Sequence, residues 1–513
     1  MNSYFNLANF FYDISKKFKN DIALRYENQI VTYEELNKLS NRIANFFISK
    51  NIKLHDVVGI YNTKEYSGFA SMLACLKIGV TYTNIDEENP PKRIEKILNT
   101  CDSKLLLIDH NVSKTVSDLA SKMNIELLDM TDIKIFDRFD DRNLEISNSL
   151  TGSTPAYIMF TSGSTGVPKG AVISHANIIS FLGWSINRFK INNNDRFAQI
   201  SPLYFDNSVF DFYTALFSGA SLVPIKKEMI TNLNDLINLV DKLKCTIWFS
   251  VPSLLVYLQT MKALNEKTFQ TLRLFIFGGE GFPKAELKKL YDLYSSKAEL
   301  VNVYGPTEAT CICSSHEISL EDFEEMNVLA PLGKMNPNFE KLIVNENMQE
   351  VKKGEKGELY LIGPNIALGY FNEIQKTNES FIQNPLKTKY KDIIYKSGDI
   401  VYEKNGLLWF AGRTDNQIKH MGYRIELEEI EFALNGLNYI NQSAAVYKRE
   451  RENYGKIIAL VASDLDITES HIKKDISKIL PNYMIPSVII VKKQLPKNAN
   501  GKIDRKEIKK NYN

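Results

Sequence analysis

The stretch Thr161-Ser162-Gly163-Ser164-Thr165-Gly166-Val167-Pro168-Lys169-Gly170 concentrates groups able to hold anionic oxygen. Its glycines let backbone amides approach a ligand closely, and its hydroxyls and lysine can donate to phosphate oxygens. It follows an apolar strand, Tyr157 to Phe160. By composition alone it is equally a flexible polar loop. It lacks the Gly-Lys-Ser/Thr spacing of a Walker A loop, so a P-loop switch or ATPase fits poorly.

Four further segments carry candidate chemistry. Asn302-Val303-Tyr304-Gly305-Pro306-Thr307-Glu308-Ala309-Thr310 puts an aromatic ring, a tight turn, and a hydroxyl beside a carboxylate directly after a strand. That set suits a nucleotide with Mg²⁺, although an ordinary loop has the same composition. Lys396-Ser397-Gly398-Asp399 offers an aspartate to ribose hydroxyls. Gly412-Arg413-Thr414-Asp415 is followed by Lys419, Gly422, Arg424 and Glu426, and Asn500-Gly501-Lys502-Ile503-Asp504-Arg505 ends the series. Each is weak alone; a lysine near a terminus is ordinarily a solvated charge.

The elements that must position these residues can be read from periodicity. Thr32 and Glu35 form a capping box ahead of Leu36, Leu39, Ile43 and Phe47 at helical spacing. Short apolar runs (Val57 to Tyr61, Lys104 to Ile108, Phe197 to Ile200, Thr246 to Phe249, Leu274 to Phe277) alternate with amphipathic helices such as Pro283 to Tyr294. This predicts an α/β fold whose large amino-terminal body has parallel sheets layered between helices. After about Pro331 the pattern turns antiparallel, and a small β-barrel-like region is expected. Glu403-Lys404-Asn405-Gly406 there signals a hairpin. The pattern breaks again at Gly412, giving a body over 1–412 and a small mobile α+β cap over 413–513.

Composition narrows the classes. With 63 basic and 61 acidic side chains among 513 residues, nothing argues for a nucleic-acid or anionic-membrane partner. Five cysteines without metal or redox spacing read as reduced thiols of a cytoplasmic protein, and the dispersed histidines suggest no metal site. The amino terminus lacks the pattern of a signal peptide, and Thr246 to Leu258 is too short to span a bilayer.

Taken in order, the five segments resemble the core motifs of the adenylate-forming superfamily: acyl-CoA synthetases, peptide-synthetase adenylation domains and firefly-type luciferases. The resemblance runs from about Tyr33 to Arg505. It implies ATP and Mg²⁺ as cofactors. Thr161 to Lys169 would cradle the β- and γ-phosphates. Tyr304 would stack on adenine, with Asn302, Gly305 and the Gly279-Glu280 segment around it. Thr307 would touch the α-phosphate, Glu308 would hold the metal, and Asp399 with Arg413 would take the ribose. Lys502 would bridge the substrate carboxylate and the α-phosphate. Asp415 would be the hinge between two half-reactions, the second presenting the Lys419–Gly422 face.

The same resemblance addresses the substrate. Asp206 stands where amino-acid-activating relatives carry an aspartate for the ammonium group; the competing reading is a helix N-cap. The side-chain pocket would be lined by Asn207, Phe210, Ser250, Ile276, Gly278, Val303, Cys311 and Ile312. None is charged, which favours a neutral α-amino acid. The nearest subgroup is the free-standing D-alanine–carrier protein ligases, of the kind that serve cell-wall teichoic acid modification. That subgroup has a cysteine where Gly278 stands, and the missing side chain suggests room for a bulkier substrate. The chain ends at Asn513, soon after Lys502, so transfer is expected to the phosphopantetheine thiol of a separate carrier protein, with coenzyme A as the fallback. An acyl- or aryl-CoA ligase is the alternative.

Overall fold

A computed structural model describes residues 4–110, 114–163, 166–451, 454–497 and 503–512. Two sheets form the body. In the first, Glu126–Asp129, Leu105–Ile108, Val57–Tyr61, Thr81–Ile85 and Pro155–Thr161 run parallel, and Lys169–Ser174 returns antiparallel at one edge. In the second, Glu299–Tyr304, Leu274–Gly278, Ile247–Ser250, Arg196–Gln199, Ser221–Pro224 and Ile22–Arg25 form a parallel core flanked by antiparallel strands. The central strands are unbroken apolar runs because both of their faces are covered.

The helix Tyr33–Ser49 starts at a reciprocal cap between Thr32 and Glu35 and buries Leu36, Leu39, Ile43 and Phe47. The helix Tyr66–Ile78 is buried on all sides, from Ser67 through Ile78. It therefore lies inside the body, where Phe69 stacks on Phe212. Each such ring contributes roughly 2–3 kcal/mol through burial.

The candidate chemistry collects at the carboxyl ends of the parallel strands. The phosphate-type loop leaves Pro155–Thr161, Asp206 follows Arg196–Gln199, Gly279 follows Leu274–Gly278, and Gly305 follows Glu299–Tyr304. Open α/β sheets present ligands at this end.

The small third region differs from the barrel expected. It is an open antiparallel sheet of Glu340–Val344, Gly357–Ile362, Ile393–Lys404, Phe381–Gln383 and Leu407–Arg413, whose outer strands do not meet. Its hairpin turns at Asn405 and Gly406, with φ of 55° and 75°, the conformation that favours this residue pair.

Beyond it, the cap comprises the hairpin Gln417–His420 and Tyr423–Glu426, the helix Leu427–Asn435, and the sheet of Gln442–Arg451, Tyr454–Ala462 and Val488–Lys492. It has its own core around Ile425, Ile430, Leu434, Ile457, Ile472 and Ile476. Among the described residues, no helix is long and apolar enough to cross a membrane.

Candidate active site

A groove lies between body and cap, lined by Gly279, Glu280, Asn302, Tyr304, Asp399 and Arg413. The Tyr304 hydroxyl donates to Asp399 Oδ2 at 2.6 Å, and Arg413 Nη1 donates to Asp399 Oδ1 at 2.7 Å. The same guanidinium grips both oxygens of Asp415 at 2.7 Å each. Gly279 adopts a φ of 91°, which a side chain would strain, and a Cβ there would touch Val251 Cγ1 at 3.5 Å. Asn302 donates to the Pro331 carbonyl at 2.8 Å, which fixes its side chain at the edge.

A contiguous cavity extends toward the phosphate-type loop and is lined by Thr161, Ser162, Asp206, Asn207, Gly305, Thr307, Lys419 and Arg424. Gly305 is required here: a Cβ on it would sit 2.3 Å from the Cys311 carbonyl oxygen. Beside the cavity, Glu308 is completely buried. Its Oε1 accepts from the Tyr370 hydroxyl at 2.7 Å and its Oε2 from Arg424 Nη1 at 2.7 Å. Burial pushes its pKa up, but the Arg424 and Lys169 charges and the Tyr370 hydrogen bond outweigh that and hold it down at about 2. A carboxylate ionised at neutral pH, next in sequence to Thr307, offers the hard oxygen that Mg²⁺ accepts. Among the described residues no cluster of three or more His, Cys, Asp or Glu accompanies it. Mg²⁺ bound mainly through substrate phosphates and water needs only one or two carboxylates.

Asp206 does not cap its helix: its backbone is already helical and no capping hydrogen bond forms. Its Oδ2 instead accepts from the Thr307 hydroxyl at 2.7 Å. Burial raises its pKa, as does the charge of Glu308, while Thr307, Arg424 and Lys419 pull it down. Beyond Asp206 the helix widens into a π-helical turn, Phe210–Thr214, an irregularity frequent at functional sites. Phe210, Ile276, Val303, Cys311 and Ile312 are all buried. Ser250 is spent internally, accepting from Trp248 Nε1 at 2.9 Å and donating to the Val251 carbonyl at 3.1 Å.

Gly278 corrects one expectation. Its missing side chain leaves no room, because a Cβ there would meet the Val303 carbonyl oxygen at 2.4 Å and Val303 Cγ2 at 2.7 Å. Val303 stands opposite Gly278 in the paired strands and already fills the notch.

The cap presents its Lys419–Gly422 turn to the groove. Gly422 N–H donates to Glu280 Oε2 at 3.1 Å, and Lys419 Nζ lies 5.8 Å above the Tyr304 ring. Lys169 Nζ faces Glu426 Oε1 at 3.6 Å, and Gly166 lies under the Phe432 ring. Ser164, Thr165 and Lys502 lie outside the described residues. Sequence reasoning missed Tyr370, Arg93 and Glu429. Tyr370 and Arg93 belong to no ordered motif, Glu429 lies in the Gly422–Glu431 segment without an assigned role, and the fold brings all three to the site. Tyr423, stacked on Tyr483 with centroids 3.6 Å apart, was equally illegible as part of the cavity wall.

A two-sheet body, an open antiparallel sheet and a smaller carboxyl-terminal cap beside the groove are the architecture of solved adenylation domains. The sequence family described as AMP-binding enzyme matches residues 11–371, and its C-terminal domain matches residues 429–502. The chain belongs to that family. Among curated relatives, it is 33% identical over 495 residues to a D-alanine–D-alanyl carrier protein ligase of Bacillus licheniformis, covering 95% of this chain and 96% of that one. A ligase of the same description from Bacillus anthracis is 32% identical, covering 95% of each. The fold is that of the Vibrio cholerae adenylation domain AlmE in complex with glycyl-adenosine-5′-phosphate (TM-score 0.83, 22% identity, 100% of this chain and 98% of that one). It is shared by the artificially fused adenylation–PCP di-domain NpsA-ThdA of Klebsiella oxytoca (TM-score 0.82, 23% identity, 95% and 94% covered).

Proposed function

We propose that this protein is a cytoplasmic ligase that activates a neutral α-amino acid with ATP, releases pyrophosphate, and transfers the aminoacyl group to the phosphopantetheine thiol of a carrier protein. The observation that carries the amino acid is Asp206: a half-buried carboxylate in the cavity, held by Thr307 and free of any capping duty. Arg424 and Lys419 act on it only at longer range, and an ammonium group would give it a direct ion pair. The relatives' D-alanyl carrier protein ligase activity and the filled notch at Gly278 both support a small substrate, D-alanine included.

In this reading the body spans 1–412, the cap spans 413–513, and Asp415 is the pivot. Tyr304 and Asp399 receive the nucleoside, while Thr161 to Lys169 receive the β- and γ-phosphates. Carboxylate attack on the α-phosphate brings two anions together, so positioned cations dominate the catalysis. Lys502 supplies one of them, and Mg²⁺ held by Glu308 neutralises phosphate charge when bound. Lys419 belongs to the second half-reaction, in which the cap turn lies against the groove.

ATP–pyrophosphate exchange measured against each L- and D-amino acid, then against fatty and aryl acids, tests the assignment. Exchange with small neutral amino acids is expected. Exchange with a fatty or aryl acid and no amino acid refutes it in favour of a CoA ligase.

A further inference from the structure

Two adjacent strands of the second sheet are fastened at their ends by a side chain from the first sheet. Lys64 lies just beyond the strand Val57–Tyr61 and is buried. Its ammonium donates to the carbonyls of Gln199, Ile200 and Ile225 at 3.0, 2.7 and 2.6 Å. An ammonium has three N–H donors, so each is used. Gln199 ends the strand Arg196–Gln199, and Ile225 follows its parallel neighbour Ser221–Pro224.

The lysine itself is tightly held. Its φ is 72°, a left-handed conformation uncommon outside glycine. Asn62 Oδ1 accepts from its N–H at 3.0 Å, and its carbonyl accepts from the Tyr26 hydroxyl at 3.0 Å. Just before it, the N–H and hydroxyl of Thr63 donate to Asp109 at 2.8 and 2.9 Å. Asp211 and Glu228 are the anions whose charges act on the ammonium, yet neither oxygen of Asp211 has a hydrogen-bond partner. Burying an ammonium among carbonyls alone is costly, and an apolar side chain of the same length would fill the space without that cost. The charge is kept for what it grips.

What it grips leads to Asp206, at the far end of the loop 200–206. The same turn of the first sheet reaches that loop a second time. Asn62 Nδ2 donates to Asn84 Oδ1 at 3.3 Å, and Asn84 Nδ2 donates to the Leu203 carbonyl at 3.2 Å. Gln199 Nε2 adds a bond to the Ser201 carbonyl at 2.5 Å. The loop is thus held at Ile200, Ser201 and Leu203 before it delivers Asp206 to the cavity. We infer that Lys64, with Asn84, is a positioning residue for the amino acid: it sets the path of the loop that carries Asp206 to the substrate ammonium. The inference rests on the reading of Asp206 given above. Lys64 lines neither the groove nor the cavity of the active site, and it acts through backbone carbonyls. A displacement of about 1 Å at a binding group can cost on the order of 100-fold. Tyr304 and Thr161 leave other strands, so ATP binding does not depend on this loop in the same way.

ATP–pyrophosphate exchange by the full chain tests this, with glycine, D-alanine and L-alanine as probes and each substrate varied in turn. Lys64→Met keeps the length of the side chain and removes its three hydrogen bonds. Below its unfolding temperature it is expected to raise KM for the best probe about tenfold or more, and KM for ATP by less than about twofold. Should it fail to fold, as judged by thermal unfolding, Asn84→Ala frees the Leu203 carbonyl without touching the lysine. That variant is expected to raise the amino acid KM about fivefold, again with little change for ATP. Wild-type KM values in both variants, with a raised amino acid KM in Asp206→Ala, overturn the positioning role and leave the ammonium reading standing. Equal rises in both KM values also overturn it, since they report a general loosening of the body. An unchanged amino acid KM in Asp206→Ala overturns the ammonium reading itself.

Discussion

The hydroxyl of Tyr304 donates to Asp399 at 2.6 Å across 95 residues of sequence, tying the end of a parallel strand to the antiparallel sheet. The ring proposed to stack on adenine and the carboxylate proposed to hold the ribose are thus one rigid unit. Preorganisation of this kind lowers the entropy lost on binding.

Asp399→Ala should weaken ATP binding by on the order of tenfold or more, because it removes the ribose acceptor and frees two of its partners at once. Tyr304→Phe should cost about 1 kcal/mol of stability while retaining most ATP affinity. Calorimetric titration with ATP and thermal unfolding of both variants separate these effects.

Asp206→Ala should lower kcat/KM for the amino acid by on the order of 100-fold and change ATP affinity little, since the loss falls on the ammonium. Initial-rate kinetics in both substrates provide the check. Matched losses for ATP and amino acid would count against the ammonium role.

Gly278→Ala should destabilise the fold by about 1–3 kcal/mol, because the obstructing atom is the Val303 backbone oxygen and cannot swing away. Val303→Ala should instead be tolerated and admit larger side chains in pyrophosphate exchange. If Gly278→Ala unfolds like wild type, the notch is not filled in solution.

The pH dependence of stability should report on Glu308. Its carboxyl is held at about 2 in the fold against 4.5 unperturbed, so the unfolded chain binds the proton more readily. The stabilisation is complete above the unfolded value and is lost as pH falls toward the folded one. Urea unfolding of wild type should lose on the order of 2 kcal/mol more than Glu308→Gln between about pH 5 and pH 3.

Lys502→Ala should abolish adenylate formation yet spare transfer from supplied aminoacyl-AMP. Equal loss of both steps in quenched single-turnover assays would contradict the two-position reading.

Much of this was legible before any coordinates. The strands Val57–Tyr61 and Leu274–Gly278 announce themselves as apolar runs, and the Thr32–Glu35 cap fixes a helix start, since both are local signals. The barrel-like region failed because strand closure depends on edge geometry that alternation does not encode. Gly278 failed for a related reason: sequence shows a missing side chain, but only strand register shows that Val303 occupies the gap. Glu429 and Arg93 lie 336 residues apart, and no spacing rule reaches that far.

Arg413 is the shared partner of Asp399 and Asp415. One guanidinium thereby belongs to both the nucleoside cradle and the proposed pivot. A ribose that draws Asp399 away loosens half of Arg413's hold and alters how firmly it clamps the pivot. Linkage then runs both ways: whatever free energy nucleotide occupancy contributes to swivelling, swivelling returns to nucleotide affinity.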